Sequence, residues 1–178
     1  MTDRIALYVP SLRGGGAERV MVTLANTFAG WGLSIDLLLS DATGPYLCDV
    51  LPAVRVVDLG AKRVATSVLP LAGYLRRETP QALLSTPEHA NVAALLAKTI
   101  SRTETRVVIR LANVHNPPLG GAVSLRLQAV SALMKRYYRR ADQIVAVSQG
   151  VATDAIRFAS LAPASVTVIN NPVRLELI

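Results

Sequence analysis

Short apolar runs alternate along the chain with longer segments in which apolar residues recur at helical spacing. Continuous apolar runs are typical of strands buried on both faces, and the helical spacing is typical of amphipathic helices. The pattern predicts seven strands, at residues 5–9, 33–39, 54–59, 82–85, 106–111, 143–147 and 166–169. It predicts five helices between them, at residues 17–28, 66–78, 88–101, 123–140 and 151–158.

The regular alternation of strands and helices predicts an α/β domain of the Rossmann-like, doubly wound type, with a mainly parallel sheet covered by helices on both faces. In the first helix, Val20, Met21, Leu24 and Phe28 form the expected apolar face, and Pro70 lies near the start of the second helix. The 178 residues suit one domain of this kind.

The last residues suggest that the chain is part of a larger protein. A turn at Asn171 and Pro172 follows the final strand, and no helix comes after it. We expect a domain at residues 1–170, the start of an interdomain linker at residues 171–178, and a carboxy-terminal domain that this sequence does not contain.

Charge and composition narrow the possible partners. Lys and Arg number 19 against 12 Asp and Glu, a formal net charge of +7 that attracts phosphates, nucleic acid or anionic lipid. Aromatic residues make up only 4%, which is poor material for stacking bases, so we expect no nucleic acid partner. The lone Cys48 fits a reducing compartment, and no apolar stretch reaches about 18 residues. These features predict a cytoplasmic location.

The clearest chemical feature is a glycine-rich loop between the first strand and the first helix, formed by Arg13, Gly14, Gly15 and Gly16. Glycines allow a tight turn and a close approach of the backbone to a ligand, and the helix start directs free amides to the same place. We expect the loop to bind an anion or a sugar phosphate. The alternative is that the glycines only make the turn.

The spacing around this loop excludes two common phosphate sites. A dinucleotide fingerprint needs glycine where Arg19 stands, and a P-loop needs Lys and Ser or Thr where Ala17 and Glu18 stand. Asp36 lies inside the second strand, which is not the position of a ribose-binding acid.

Two further polar residues follow strands at the same predicted edge. His89 comes after the fourth strand and is a candidate for binding donor or acceptor. Ser148 comes after the sixth strand, where it either contributes to binding or caps the next helix. No Cys and His cluster has the spacing of a metal site, so we expect no metal.

The fourth predicted helix combines basic and apolar residues, a composition that suits a helix resting on anionic lipid. By this hypothesis the helix binds the inner face of the membrane. The alternative is a core-packing helix with a solvated basic face. The basic residues are Arg126, Lys135, Arg136, Arg139 and Arg140.

Three segments carry a resemblance to a known family. Residues 15–20 (GGAERV), 141–151 (ADQIVAVSQGV) and 168–173 (VINNPV) closely resemble the amino-terminal domain of family-four retaining glycosyltransferases of the GT-B fold. The resemblance covers essentially the whole chain but only the first half of such an enzyme.

The resemblance implies an enzyme that transfers a sugar, with retention, from a nucleotide-sugar donor to a saccharide or lipid-linked acceptor in polysaccharide or glycolipid biosynthesis. It implies no cofactor and no metal, and the missing domain would hold most of the donor. This half alone is therefore expected to be inactive. The other hypothesis is a non-catalytic Rossmann-like module that binds an anionic ligand.

The family's catalytic stretch follows the fifth strand and is here altered. Asn113 matches the family's asparagine, Ala112 replaces a residue with a functional side chain, and His115 follows two residues after Asn113. By this resemblance Asn113 and His115 are the candidate catalytic residues. Arg110, in the same stretch, is a candidate for binding donor or acceptor.

Overall fold

A computed structural model describes residues 4–114 and 125–172, with side chains described in α4 from residue 131 onward. His115 and the side chain of Arg126 lie outside this description. The strands are β1 (Arg4–Val9), β2 (Ser34–Leu39), β3 (Val54–Asp58), β4 (Ala82–Ser85), β5 (Arg106–Leu111), β6 (Gln143–Ala146) and β7 (Val166–Val168). The α-helices are α1 (Gly16–Gly30), α2 (Val64–Glu78), α3 (Glu88–Ser101), α4 (Leu125–Tyr138) and α5 (Gln149–Ala159).

The seven strands form one parallel sheet in the order β3-β2-β1-β4-β5-β6-β7. The chain builds outward from β1 in one direction and from β4 in the other, so the topological switch point lies between these two strands. The register there pairs Ile5 with Ala82 and Tyr8 with Ser85. This architecture confirms the predicted Rossmann-like α/β fold, and its ligands are expected at the carboxyl ends of β1 and β4.

Alternate residues of the strands enter two hydrophobic clusters, one on each face of the sheet. Leu7 and Val9 of β1 pack in the cluster that contains α1. Ala6 and Tyr8, which point the other way, pack in the cluster that contains residues of α2, α3, α4 and α5. The period of two in a strand therefore accounts for a sheet that is apolar on both sides.

Two helices differ from their predicted form. In α1 the predicted Met21, Leu24 and Phe28 pack in the core, and Val22 and Ala25, which the prediction left out, are buried beside them. The helix α2 begins at Val64, which places Pro70 inside the helix and not near its start. Pro70 is tolerated there because it lies on the exposed side, while Leu71, Tyr74 and Leu75 on the other side are buried.

Asp36 belongs to a buried polar cluster near the amino-terminal edge of the sheet. Its carboxylate accepts hydrogen bonds from Arg55 Nε at 2.9 Å and from the Tyr74 hydroxyl at 2.5 Å. Arg4 and Glu78 complete the cluster, in which Arg4 also pairs with Glu78. These bonds explain why a strand carries a buried acid, and they give Asp36 a structural role.

Candidate functional site

The carboxyl ends of β1, β4 and β5 surround a cavity of about 540 Å³ at the switch point, here called the central cavity. The glycine loop forms one wall, the start of α3 another, and the end of β5 a third. The sequence-predicted residues that line it are Gly15, Gly16, His89, Arg110 and Asn113. The other lining residues are Pro10, Ala17, Glu18, Pro87, Ala112 and Asn171.

The glycine loop is held by a side chain that the sequence analysis did not select. The carboxylate of Glu18 accepts the backbone N–H of Gly14 at 2.7 Å and that of Gly15 at 2.8 Å. Gly14 has a φ of +127°, a conformation that favours glycine. The N–H groups of Gly14 and Gly15 are therefore occupied by Glu18.

The next amides of α1 remain available. Within the described part of the chain, no acceptor is found for the N–H groups of Gly16, Ala17 and Glu18, whereas Arg19 N–H already bonds to Gly15. Free amides in a first helical turn are donors for an anion. The amides of this segment that lack a protein acceptor thus lie in the first turn of α1 and not at Gly14 and Gly15.

Arg110 is the most unusual residue of the central cavity, because it is only 5% exposed and has no ion pair with a described residue. Its Nη2 donates to Asn171 Oδ1 at 2.5 Å, and its Nη1 lies 3.4 Å from Thr86 Oγ1. Burial lowers the pKa of Arg110, and the nearby Glu88 charge opposes this only in part. A buried cation with neutral partners is costly, and an anionic ligand would compensate its charge.

Asn91 positions the strand end that carries Arg110. It is fully buried in α3, donates through Nδ2 to the Arg110 carbonyl at 3.0 Å, and accepts from Ser85 Oγ at 2.8 Å. It therefore joins the ends of β4 and β5. Asn91 is not among the sequence-predicted site residues, although a polar residue on the apolar face of a predicted helix is a usable signal for such a role.

The remaining candidates lie at the margins of the central cavity. His89 is exposed in the first turn of α3 and lines both the central cavity and a neighbouring cavity. The neighbouring cavity lies at the carboxyl ends of β1 and β2, beside the start of α2. Asn113 is exposed just after β5. Arg13 lines only the neighbouring cavity, where its Nη2 donates to Asp41 at 2.7 Å.

Comparison with known protein families shows which family the chain belongs to. A family model described as Glycosyltransferase Family 4 matches residues 14–177. The chain belongs to glycosyltransferase family 4. No curated protein matches it at a significant level.

Solved structures share the fold of this family 4 domain. HepE from Anabaena, in complex with UDP-glucose, has a TM-score of 0.75 at 18% identity over 98% of this chain and 45% of HepE. Sucrose-phosphate synthase from Thermosynechococcus elongatus has a TM-score of 0.75 at 12% identity over 98% of this chain and 49% of the synthase. The lipopolysaccharide outer core galactosyltransferase WaaB has a TM-score of 0.69 at 15% identity, over 96% of this chain and 46% of WaaB. The family 4 domain thus spans about half the length of these structures.

Ser148 caps a helix in the family 4 domain. Its Oγ accepts the N–H of Val151 at 3.3 Å at the start of α5, and it lines neither the central cavity nor the neighbouring one. The capping interpretation accounts for this residue without a ligand.

The basic helix α4 packs on the domain while its described cations remain exposed. Met134 and Tyr138 are buried. Lys135 lies over the Phe158 ring at 5.1 Å, and Arg139 Nε donates to the Ala159 carbonyl at 3.0 Å. Arg136 and Arg140 are also exposed. Arg139 and Arg140 lie in the turn after α4, because the helix ends at Tyr138 and not at residue 140 as the sequence predicted. Within the described residues, no helix has the length and apolarity required to cross a membrane.

Proposed function

We propose that the chain is the amino-terminal half of an enzyme that transfers a sugar, with retention, from a nucleoside diphosphate sugar to a saccharide or lipid-linked acceptor. The observation that carries the proposal is the central cavity, in which the buried Arg110 and the free amides of Gly16 and Ala17 converge at the switch point. The complex of HepE with UDP-glucose supports a donor of this class.

In this proposal the chain acts mainly by stabilising the leaving group. The bond between the anomeric carbon and the diphosphate oxygen breaks, and negative charge develops on that oxygen. Arg110 and the α1 amides are preorganised donors for this charge. The acceptor oxygen attacks the same face of the sugar and passes its proton to the departing diphosphate, while Asn113 and His89 contact the sugar or acceptor. His115 lies outside the described residues, and its catalytic role stays a prediction.

In this proposal the enzyme consists of two domains joined by a linker. Residues 1–170 form the acceptor-side domain, residues 171–178 begin a linker, and a second domain holds most of the donor. The hydrogen bond between Arg110 and Asn171 brings the start of that linker to the central cavity. No metal takes part in this proposed reaction, and the isolated half is inactive.

The test is a transfer assay on the full-length protein. Nucleotide sugars are supplied with saccharide and lipid-linked acceptors, and the anomeric configuration of the product is measured by NMR. We expect a product with the configuration of the donor and turnover that is unchanged by EDTA. An inverted product would contradict retention, and nucleotide sugars left unconsumed with every acceptor would contradict the enzyme and favour a non-catalytic binding module.

We further propose that the enzyme works in the cytoplasm and that the end of α4, with the turn that follows it, contacts the anionic inner face of the membrane. The exposed cations Arg136, Arg139 and Arg140 support this proposal. Vesicles of phosphatidylglycerol are expected to retain the chain, vesicles of phosphatidylcholine are not, and changing the three residues to Glu should release it. Because Arg139 also holds the Ala159 carbonyl, circular dichroism must first show that the variant is folded. Equal retention by both vesicles would overturn this proposal.

A further inference from the structure

One residue of the proposed interdomain linker reaches the buried cation of the central cavity. Asn171 lies after the end of β7, and its Oδ1 atom accepts a hydrogen bond from Arg110 Nη2 at 2.5 Å. Asn171 also lines the central cavity, although it is not among the sequence-predicted site residues. The amide of a linker residue and a buried arginine therefore form part of the same cavity wall.

The backbone on both sides of Asn171 limits where its side chain can lie. The N–H of Ile169 donates to the Ala146 carbonyl at 2.9 Å, which holds the chain against the end of β6 two residues before Asn171. Pro172 follows directly, and a residue before proline is restricted to extended backbone conformations. The hydrogen bond to Arg110 therefore starts from a backbone that is already restricted.

The guanidinium of Arg110 has little else to orient it. Thr86 is fully buried, but its Oγ1 lies 3.4 Å from Arg110 Nη1, which is long for a hydrogen bond. Asn91 donates to the Arg110 carbonyl, so it fixes the backbone of β5 and not the guanidinium. Among the described residues, Asn171 thus provides the only short hydrogen bond to this cation.

The chemistry of the amide is as important as its position. No described acid forms an ion pair with Arg110, although the charge of Glu88 acts on it through space. An aspartate has the shape of an asparagine, but it would pair with the guanidinium and cancel its charge. With Oδ1 bonded to Arg110, Asn171 also keeps N–H donors on Nδ2 that no described residue accepts. An amide at this position therefore orients the cation and leaves its charge to a ligand.

We propose that Asn171 is a positioning residue of the transfer reaction, which holds the Arg110 guanidinium toward the diphosphate of the donor without neutralising it. This inference rests on the proposed function, because it assigns Arg110 to the departing diphosphate. Charge develops on the diphosphate oxygen as its bond to the anomeric carbon breaks, and a preorganised cation stabilises this charge better than a mobile one. Asn171 therefore affects the rate of transfer through Arg110.

The first experiment compares Asn171→Asp with Asn170→Asp in the full-length protein. Both substitutions add one negative charge to the same segment, but Asn170 does not line the central cavity and has no hydrogen bond to Arg110. Asn171→Asp should pair with Arg110 and lower kcat about a hundredfold, while KM for the acceptor stays unchanged. Asn170→Asp is the matched control and should keep the kcat of the wild type.

Thermal unfolding of the same variants distinguishes a positioning role from a structural one. Asn171→Asp supplies a counter-ion to a buried cation, so its unfolding midpoint should rise by about 2 °C although kcat falls. Asn171→Ala removes the orienting bond but keeps the charge of Arg110, so kcat should fall about tenfold, less than in Asn171→Asp. A residue that only holds the fold together would instead lower the midpoint in both variants.

A double-mutant cycle tests whether Asn171 acts through Arg110. In an Arg110→Met background, Asn171→Asp should have no further effect on kcat, because the cation on which it acts is gone. Two independent losses that add would show that Asn171 does not act through Arg110.

Any of four other results would also overturn the inference. These are an unchanged kcat in Asn171→Asp, an equal loss in Asn170→Asp, a lowered midpoint in Asn171→Asp, and a kcat above that of the wild type in Asn171→Ala. The last result would show that the amide competes with the donor for Arg110. If the wild type transfers sugar and one of these results is found, the positioning role alone fails. If the wild type transfers sugar from no donor, the proposed function fails and the positioning role with it.

Discussion

At the scale of single residues, Arg110 shows a conflict between stability and binding. Its guanidinium is buried among neutral partners, Asn171 Oδ1 and Thr86 Oγ1, so the folded protein bears the cost of desolvating a charge. In the proposed function this charge binds an anionic group of the donor. An anionic donor entering the central cavity would supply the missing counter-charge.

Replacing Arg110 by Met should therefore stabilise the fold and weaken ligand binding. We expect the free energy of unfolding to rise by about 1 kcal/mol, since a similar volume is kept and the buried charge is lost. UDP affinity should fall by about tenfold or more. Denaturant titration and calorimetry measure the two effects. Arg106→Met, on an exposed residue at the other end of the same strand, is the control. A less stable variant with unchanged UDP affinity would contradict the argument.

Gly44 is a second residue whose environment dictates its identity. Its φ is +124°, and a Cβ atom there would overlap the backbone carbonyl of Leu12. The same contact region carries the bonds from Leu12 N–H to Thr43 and from Tyr46 N–H to Leu12. Because Gly44 has no side chain, the loop after β2 can contact the loop after β1 at Leu12, next to the glycine loop.

Adding one methyl group should consequently have opposite effects on the free energy of unfolding at Gly44 and at Gly73. Gly44→Ala combines backbone strain with overlap and should destabilise the chain by about 2–4 kcal/mol. Gly73→Ala lies inside α2, where the nearest atom is Arg77 Nη1 at 3.5 Å, and should stabilise by about 0.5–1 kcal/mol. Thermal or denaturant unfolding measures both. Equal effects of the two substitutions would show that the close contact at Gly44 is relieved at little cost.

At the scale of elements, the carboxylate of Glu18 at the start of α1 has opposite effects on the stability of the helix and on the binding of an anion. Glu18 accepts the N–H groups of Gly14 and Gly15 and so completes the turn from strand to helix. The same carboxylate lines the central cavity, where it opposes the approach of an anion. The helix start is thus stabilised by a charge that works against the proposed ligand.

The substitution Glu18→Gln should separate the effect of this carboxylate on stability from its effect on ligand binding. Loss of the charge at the helix start is expected to lower stability by about 0.5–1 kcal/mol, while the amide oxygen can still accept one or both bonds. Removing a negative charge from the cavity should tighten UDP binding about threefold to tenfold. Glu104→Gln, at an exposed position before β5, is the charge-matched control. Weaker UDP binding in Glu18→Gln would instead mean that the carboxylate shapes the loop for its ligand.

At the scale of the whole molecule, three buried tyrosines join the sheet to the helices. Burial raises the pKa of Tyr8, and its hydrogen bonds to Ser40 and Ser67 offset this only in part. Burial also raises the pKa of Tyr74, and the hydrogen bond to Asp36 raises it further. Burial raises the pKa of Tyr138 as well. All three therefore stay protonated in the folded state at a pH where the unfolded chain ionises.

This difference predicts a loss of stability in alkali. The folded pKa values lie above the unfolded value of about 10, so the contribution is complete below pH 10 and declines as the pH rises further. The slope approaches about 4 kcal/mol per pH unit if three protons are retained. Denaturant titrations across this range measure it. Tyr74→Phe should reduce the slope by about a third, and Tyr46→Phe, on a half-buried tyrosine at the edge of the core, controls for the loss of a hydroxyl. An unchanged slope in Tyr74→Phe would contradict the account.

The sequence alone determined the alternation of strands and helices, the parallel sheet and the place of the glycine loop, because these depend on local period and on residues close in the chain. The segments at residues 15–20, 141–151 and 168–173 together also indicated the family, which the match over residues 14–177 confirms. The apolar face of α1 was predicted in part: Met21, Leu24 and Phe28 pack in the core, and docking against the sheet also buries the neighbouring Val22 and Ala25.

Only the tertiary structure decided which groups line the cavities at the carboxyl ends of the strands. Asn171 returns to Arg110 across 61 positions, Asn91 joins the ends of two strands, and Lys62 and Arg63 meet Arg13 around one cavity. Glu18 takes amides that composition alone would leave free. Such contacts depend on strand register and helix docking, which bring distant residues to one edge of the sheet. The excess of positive charge was evident in the sequence, and the fold determined which of those charges lack a counter-ion.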